Sequence, residues 1–477
     1  MASPRTLNSQ NLEALGAPRL AALLLELAEG DAQAKRRLRL ELASASGSDD
    51  VAGQVRKRLA SLAKARSFVD WNKVRALADD LEMQRRAIVD HVGPRDPAVA
   101  FDLLWRLIAL APSTYERCDD SNGRIGAIFA TALPDLAPLA IAARLPVDLL
   151  IDRIFDGVSG NDYGQYDGLI ALMAEALGEA GLKRLRERFE ELAKMPPPRP
   201  PETERRAIGH GLGGPLYADD VEARSHLRTV HTALTEIADA LGDVDGFIAQ
   251  HPVEERDNPA IAARIAGRLL GAGRAEEAMA ALEAAAAKRN KGGFYPDWDR
   301  LHIEALDALG RADAAQNGRW DLFARSLDAG YLKTYLKRLP DFDDIDAEAR
   351  AMAHARVYPS FERALHFLLT WPDMAGAAAL VLARADEIDG NYYELLTPAA
   401  EALESRYPLA ATLALRAMID FALEKARFKR YPHAARHLQE CENLARRIDS
   451  YVPHPDHATY VASLTARHGR KSGFWQL

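Results

Sequence analysis

The sequence is poor in cysteine and aromatic residues and has no long uninterrupted apolar run. Its 477 residues include two cysteines, Cys118 and Cys441, and 7% aromatic residues. Two cysteines are too few for a disulfide framework or a four-cysteine zinc site. No stretch reaches 18 uninterrupted apolar residues, and charge precedes the first apolar run. We therefore expect a cytoplasmic protein that is neither exported nor embedded in a membrane.

Alanine, in contrast, is unusually frequent, with 87 residues in the chain. Alanine is the best helix former because it loses no side-chain entropy in a helix. The composition therefore predicts a mostly helical protein and argues against a large β-sandwich or β-barrel.

Charge is distributed unevenly along the chain, although the total is only −8. Residues 1–90 carry a net charge of +3, residues 91–404 carry −17, and residues 405–477 carry +6. An acidic middle argues against a nucleic-acid groove along the whole protein, since phosphate binding needs a positive surface. Nucleic-acid binding at the two basic ends stays open.

Leucine spacing and turn residues predict short helical hairpins from the N-terminus onward. Leu20, Leu23, Leu24 and Leu27 follow the i, i+3, i+4, i+7 spacing of one helical face, and Gly30 with Asp31 marks a stop and a new cap. Further on, residues 195–201 contain five prolines in seven positions, which excludes a helix. We predict domains at 1–194 and 217–477, joined by a Pro/Gly-rich linker at 195–216.

The second half contains an internal repeat. Residues 259–290 read as helix, Gly-Arg turn, helix, and residues 301–323 repeat the Gly-Arg turn 37 positions later. This pattern resembles tetratricopeptide (TPR) repeats, although Arg319 stands where the second repeat should have leucine. The predicted fold class is all-α, an irregular α-solenoid of helical hairpins, TPR-like in the C-terminal half.

Several segments also resemble a known family: TLNSQNLEALGAPRLAALLLELAEGDAQAKRRLRLELA, YERCDDSNG, LDALGRADAAQNGRWDLF and YVASLTARHGRKSGFWQL. Together they resemble a proteobacterial all-helical family known only as a domain of unknown function, across nearly the whole chain. The resemblance implies no activity. The last 70 residues are similar to the C-terminal region of bacterial SWIM zinc-finger proteins. The zinc-ligand pattern of those proteins, CxC followed by CxH, is absent from this sequence, so no zinc finger is implied.

Two groups of residues could bind a metal ion or do acid–base chemistry. His433, His437 and Cys441 share one helical face, and imidazole and thiolate are zinc ligands. Cys441 also occupies a core position of the repeat, which favours a structural role. Asp119 and Asp120 lie in a polar loop, where helix capping is the alternative to cation binding.

The remaining candidates are basic or aromatic. Arg36 and Arg37 near the start, and Arg430, Arg470 and Lys471 near the end, could contact nucleic acid or an acidic partner, or could simply be solvated. Phe474 and Trp475 close the chain, and we expect them to pack on the last helices or on a partner.

No set of residues meets the geometric minimum for a catalytic nucleophile with its base, for a paired-acid site or for a defined metal site. The sequence therefore favours a non-catalytic protein that binds a protein partner through helical-repeat surfaces, without a cofactor. The alternatives are a nucleic-acid-associated regulator that uses the basic ends, and an enzyme or metal-binding protein of unknown class. The oligomeric state stays open.

Overall fold

The chain is almost entirely helical. The computed structural model describes residues 7–211, 214–290 and 293–477, apart from the side chains of residues 44–46. The chain divides into two compact units, Met1–Val253 and Glu254–Leu477. Within each unit, helices that follow one another along the chain pack together as hairpins. The fold is therefore the predicted all-α arrangement of irregular, solenoid-like helical hairpins.

The first unit is built from helices of 5 to 25 residues around one apolar core. In the described part of this unit the helices are α1 (Ser9–Glu13), α2 (Ala17–Leu27), α3 (Ala32–Ser46), α4 (Ser48–Lys64), α5 (Trp71–Arg86), α6 (Pro97–Ile108), α7 (Ala111–Tyr115), α8 (Arg124–Ala132), α9 (Leu136–Ala142), α10 (Val147–Ser159), α11 (Leu169–Ala193), α12 (Ala218–Leu241) and α13 (Val244–Ala249). Asp31 caps α3, as predicted, by accepting hydrogen bonds from the backbone N–H of Gln33 and Ala34. Phe129 and Phe189 are fully buried in the core.

One helical stretch in this unit is long and apolar enough to cross a membrane by length and composition. Residues Arg124–Ala142 span 19 residues with a mean hydropathy of 1.7. The stretch comprises α8, a 3₁₀ turn at Leu133–Asp135, and α9. Asp135 interrupts its apolar run, which is why the sequence showed no uninterrupted segment of that length. Its apolar side chains include Ile125 and Leu136, which are fully buried in the core of the first unit.

The proline-rich segment does not lie at the division between the two units. The predicted linker at 195–216 falls within the first unit, and the units divide at Val253/Glu254. The reason is that α11 and α12, the helices on either side of the segment, pack against each other. The prolines therefore form an irregular connection between two neighbouring helices. Residues 212 and 213 of the predicted linker lie outside the described residues.

The same connection contains a small antiparallel hairpin that the sequence did not predict. Strands β1 (Ala207–Gly211) and β2 (Gly214–Tyr217) pair with His210 opposite Pro215. Arg205 anchors the hairpin, since its guanidinium lies 3.9 Å from the Tyr217 ring and pairs with Asp219 at 2.9 Å. The glycines at 209, 211 and 214 are typical of a loop, and the sequence therefore did not indicate these strands.

The second unit continues as helical hairpins. In the described part of this unit the helices are α14 (Pro259–Gly271), α15 (Ala275–Asn290), α16 (Pro296–Ala308), α17 (Ala312–Ser326), α18 (Ala329–Leu336), α19 (Asp343–Arg356), α20 (Phe361–Thr370), α21 (Met374–Ala383), α22 (Tyr393–Leu403), α23 (Pro408–Glu424), α24 (Tyr431–Ala445), α25 (His457–His468) and α26 (Ser472–Trp475). Phe323 and Phe367 lie in its core, with ring centroids 5.3 Å apart.

The predicted repeats are present in this unit. Helices α14 and α15 form the first pair, and α16 and α17 form the second. Gly273 and Gly310 occupy the turns with φ of +73° and +71°, a conformation that favours glycine. The small residues Ala266 and Ala278 are fully buried, which permits close packing of the two helices.

Arg319 departs from the repeat pattern because it forms a buried ion pair. It is only 4% exposed, and its guanidinium pairs with Asp307 of α16 and donates to Gln316 Oε1 at 3.0 Å. A charged side chain therefore occupies the expected leucine position without leaving a buried charge uncompensated.

A glycine sets the distance between one loop and α23. Gly390, in the loop before α22, lies so close to α23 that a Cβ at this position would overlap the carbonyl oxygen of Ala417. The same Cβ would lie 2.8 Å from Cβ of Phe421. The loop can therefore approach α23 only because position 390 has no side chain.

We expect Gly390→Ala to lower the free energy of unfolding by about 1–3 kcal/mol, because an added methyl group must push the loop away from α23. Gly271→Ala is the matched control, since nothing lies within 4 Å of its added Cβ. Urea unfolding followed by circular dichroism measures both. Equal stabilities of the two variants would contradict the close approach.

Candidate functional site

The predicted basic residue Arg36 has a structural role in the first unit. Its Nε lies 3.5 Å from Oδ1 of Asp80, and Nε of Arg58 donates to Oδ2 of the same carboxylate at 2.8 Å. Asp80 is only 1% exposed. Two guanidinium groups therefore compensate one buried carboxylate, which ties α3, α4 and α5 together.

Arg37 lies in mostly acidic surroundings. It lines a groove of about 630 Å³ in the first unit. The acidic residues of this lining are Asp31, Glu41, Asp79, Glu82 and Asp90, against two arginines, Arg37 and Arg86. The lining around Arg37 is therefore mostly acidic, which disfavours phosphate contact in this groove.

One carboxylate of the polar loop, that of Asp120, caps a helix. Asp120 accepts hydrogen bonds from the backbone N–H of Ile125 and Gly126, both at 2.9 Å, at the start of α8. Asp119 accepts from the N–H of Ser121 at 3.2 Å. Between the two open alternatives, this geometry favours helix capping.

The chain's last aromatic residues pack on the last helices. Phe474 is 2% exposed and meets the ring of Tyr431 edge to face, with centroids 6.1 Å apart. Trp475 Nε1 donates to the carbonyl of His468 at 3.0 Å. Lys471 Nζ donates to the carbonyl of Leu423, whereas Arg470 is exposed. Arg470 is therefore more open to solvent than Lys471.

The three candidate metal ligands do not converge. Cys441 is fully buried, with Sγ 3.9 Å from the carbonyl oxygen of Thr412. Burial raises the pKa of its thiol to about 12. Across residues 7–211, 214–290 and 293–477, no group of three or more His, Cys, Asp or Glu side chains is placed to hold a metal ion. Cys441 thus belongs to the core, while His433 and His437 line a pocket.

That pocket, called the basic pocket below, lies between α22, α23 and the start of α24 and has a volume of about 260 Å³. Five side chains with cationic or titratable nitrogen line it: Lys429, Arg430, His433, Arg436 and His437. Its other lining residues are Gly390, Tyr393, Thr397, Met418, Ala422 and Ala434. No carboxylate is among the residues that line it, so its electrostatic potential favours an anion.

Local sequence explains the basic side of the pocket. Residues Phe428–Arg430 form a 3₁₀ turn that runs directly into α24, with Pro432 in the first helical turn. His433 and His437 are four residues apart and lie on one face of α24. Because the pocket is at the N-terminal end of α24, the helix dipole adds to its positive potential.

Arg430 is held by aromatic rings on one side of the basic pocket. Its guanidinium carbon lies 4.7 Å from the Tyr393 ring centre and 5.4 Å from that of Phe421. Its Nη1 is buried and has no hydrogen-bond partner among the described residues. Cation–π contact thus fixes the guanidinium while leaving a donor without an acceptor.

His437 is 6% exposed and is oriented by Glu440. Its Nδ1 lies 3.0 Å from Oε2 of Glu440. Its Nε2 has no hydrogen-bond partner within the described chain. Arg436 Nε lies 3.5 Å from the other oxygen of Glu440 and thus shares this carboxylate. Glu440 therefore positions the side chains of His437 and Arg436, although it does not itself line the basic pocket.

A groove beside α24, called the apolar groove below, has a volume of about 960 Å³. Its lining residues are Pro432, Ala435, Arg436, Leu438, Gln439, Glu442, His457, Ala458, Val461, Ala462, Phe474, Trp475 and Leu477. Arg436 lines both the basic pocket and the apolar groove. The two surfaces are therefore continuous across α24.

A third pocket, of about 410 Å³, has the opposite charge. Asp386, Asp389, Asp420 and Glu424 line it together with Arg416. Arg416 is 4% exposed, donates to the carbonyl of Pro455 at 2.8 Å and lies 4.4 Å from the Tyr460 ring. Burial raises the pKa of Asp420, and the Arg467 guanidinium opposes this shift. Gly390 lines this acidic pocket and the basic pocket alike.

The sequence pointed to Arg430, His433 and His437, and the structure brings them together. It did not single out Tyr393 and Thr397, which reach the basic pocket from α22 about 35 residues upstream. No local motif marks these two residues, because their role depends on the packing of α22 against α23. The apolar groove was likewise missed, except for Phe474 and Trp475.

We expect Asp80→Asn to lower the free energy of unfolding by about 2–3 kcal/mol, since two guanidinium groups lose their shared counter-ion. Asp79→Asn is the matched control, because its pair with Arg75 is exposed and 4.0 Å long. Urea unfolding measures both variants. A loss for Asp80→Asn no larger than for Asp79→Asn would contradict the structural role of Arg36.

We expect Cys441 to resist alkylation in the folded protein at pH 7. A thiol pKa of about 12 leaves on the order of a thousandfold less thiolate than an ordinary cysteine has. Iodoacetamide labelling with peptide mass spectrometry measures the rate, and guanidinium-unfolded protein is the control. Labelling of folded protein at the unfolded rate would place Cys441 outside the core.

Comparison with known proteins identifies the family but no activity. No curated protein matches the chain. Among solved structures, a match is found to a "Circular tandem repeat protein with novel repeat topology and enhanced subunit contact surfaces". The identity is 13%, the TM-score is 0.15, and the match covers 99% of this chain and 94% of the other. Over residues 2–477 the sequence matches a family described as "Family of unknown function (DUF6880)", and the chain therefore belongs to that family.

Proposed function

We propose that this protein is a non-catalytic helical-repeat binding protein that holds an acidic segment of a partner protein on the surface of α24. In this arrangement an acidic side chain of the partner enters the basic pocket. Neighbouring apolar side chains of the same segment lie in the apolar groove. This is a helical-repeat surface that recognises an extended peptide by charge and apolar contact.

The observation that carries the proposal is the composition of the two linings. The basic pocket is lined by Lys429, Arg430 and Arg436 and by no carboxylate. The apolar groove begins at Arg436 and contains Val461 and Trp475. A segment with an acidic residue followed by apolar residues complements both surfaces.

The chemistry of the described residues supports binding more than catalysis. Both cysteines are buried, and burial raises the pKa of Cys118 and Cys441 above the ordinary value. A protonated, buried thiol is a poor nucleophile at neutral pH. Asp120 is occupied by helix capping. The alternative of an enzyme or metal-binding protein therefore has less support.

We expect a fluorescein-labelled peptide with two glutamates followed by two leucines to bind the full-length protein. Charge reversal at Lys429→Glu and Arg436→Glu should weaken binding at least about tenfold, since each change replaces attraction by repulsion. Fluorescence anisotropy measures the affinity. Arg406→Glu is the control, because this exposed arginine lies outside the basic pocket and the apolar groove.

An unchanged affinity in both pocket variants would overturn the proposal. A peptide with lysine in place of glutamate tests the sign of the interaction, and it should bind weakly if the basic pocket attracts anions. Replacing the two leucines by serine tests the apolar groove separately. Equal binding of the leucine and serine peptides would remove the apolar groove from the proposal.

The nucleic-acid alternative has one observation in its favour. Phe428 is 73% exposed and stands between Arg427 and Lys429, and an aromatic residue among basic ones suits stacking on a base. Anisotropy with a labelled single-stranded oligonucleotide tests it. Tight, salt-sensitive binding that Phe428→Ala weakens would favour nucleic acid over the acidic peptide.

Three further expectations belong to this proposal. Cytoplasmic localisation is supported by two free, buried thiols, which suit a reducing compartment. Proteobacterial origin rests on the sequence resemblance alone. The similarity to the C-terminal region of SWIM proteins rests on the last 70 residues, whose Arg467, Arg470 and Lys471 supply the basic tail.

A further inference from the structure

The basic pocket offers more hydrogen-bond donors than a carboxylate can accept. Lys429, Arg430 and Arg436 bring three positive charges to its lining, and His433 and His437 add imidazole nitrogens. We propose that the basic pocket binds the phosphate monoester of a phosphorylated side chain on the partner, so that phosphorylation of the partner controls binding. This inference rests on the proposed function, because it assumes that a partner segment lies on α24.

Arg430 presents a donor that is already held in place. Its guanidinium lies against the rings of Tyr393 and Phe421, and Nη1 is buried without an acceptor. A buried guanidinium N–H without an acceptor is costly, and a phosphate oxygen would supply one. Because the two rings already restrict the guanidinium, little rotational freedom is lost when an anion binds.

His437 adds an ordered imidazole to the wall of the basic pocket. The residue is 6% exposed, and its Nδ1 lies 3.0 Å from Oε2 of Glu440. With Nδ1 engaged, Nε2 is the nitrogen left to meet a ligand in the basic pocket.

Lys429 and Arg436 complete the donor set from the rim. Both are exposed, and no ion pair of Lys429 occurs in the described chain. Arg436 shares Glu440 at 3.5 Å and lies 3.4 Å from Nδ1 of His433 through Nη2. These long contacts leave the Arg436 guanidinium able to turn toward an incoming anion.

The floor of the basic pocket strengthens these contacts. Met418, Ala422 and Ala434 line it, and none of them offers a strong donor or acceptor. The only hydrogen bond of the Thr397 hydroxyl in the described structure is to Met418 Sδ, at 3.6 Å. An apolar floor lowers the local dielectric constant, so charges on the wall attract an anion more strongly than they would in water.

The charge of the basic pocket favours a phosphate monoester over a carboxylate. A phosphorylated side chain carries a charge of about −1.5 to −2 at pH 7 and three acceptor oxygens. Lys429, Arg430 and Arg436 together carry +3 with the histidines neutral, and Glu440 beside Arg436 reduces this to +2. A carboxylate compensates one of these charges, whereas a phosphate monoester compensates about two and occupies more donors.

The test uses the full-length protein and three fluorescein-labelled peptides that differ at one position, followed by two leucines. The position is phosphoserine, glutamate or serine. We expect phosphoserine to bind at least about tenfold more tightly than glutamate, which corresponds to one additional charge-assisted hydrogen bond. Fluorescence anisotropy at constant ionic strength measures the three affinities. Inorganic phosphate should compete with the phosphopeptide more effectively than chloride at equal ionic strength.

Variants assign the effect to the basic pocket. Lys429→Gln and Arg430→Gln should each remove most of the phosphoserine preference, about tenfold, while Arg406→Gln should leave it unchanged. Arg430 also contacts two rings, so its variant could lose stability. Lys429 is exposed and free of such contacts, and it therefore tests the inference without that complication.

The outcomes separate this inference from the proposed function. Glutamate and phosphoserine peptides that bind equally, with both affinities reduced by Lys429→Glu, would overturn the phosphate inference and retain the partner surface. Failure of all three peptides would overturn both. Phosphopeptide binding that Lys429→Gln and Arg430→Gln leave unchanged would place the phosphate outside the basic pocket and overturn the inference.

Discussion

The close approach of Gly390 to α23 is the constraint on which the basic and acidic pockets of the second unit depend. A single Cβ at this position would overlap the Ala417 carbonyl. The loop before α22 therefore lies directly on α23 and forms a wall shared by two pockets of opposite charge.

Tertiary contacts distribute the excess positive charge of residues 405–477 unequally. Arg416 is buried against Tyr460, Arg467 pairs with Asp420, and Lys471 is bound to a backbone carbonyl. These contacts engage the three charged groups within the fold. Lys429, Arg430 and Arg436 are left to line one pocket without a carboxylate. A modest net charge thus becomes a concentrated positive potential at one place, which suits recognition of an anionic group.

Much of the architecture could be predicted because helical periodicity and turn residues are local signals. Gly273 and Gly310 mark turns in the predicted repeat, and Asp31 caps α3 as the sequence indicated. The boundary near 195–216 differs from the observed division at Val253/Glu254, since proline excludes a helix but does not separate two helices that pack together. Arg319 likewise looked irregular only because its partner, Asp307, lies on another helix.

The sequence alone predicts the helical hairpins, the close-packing alanines and the basic character of the C-terminal region, because each follows from residues near one another along the chain. It also placed His433 and His437 on one face of α24. The packing of the helices confirms that Cys441 belongs to the core and shows that Tyr393 joins the two histidines at a pocket. The physical reason is that periodicity reveals which face of a helix is buried, whereas the identity of its neighbour depends on packing between distant segments.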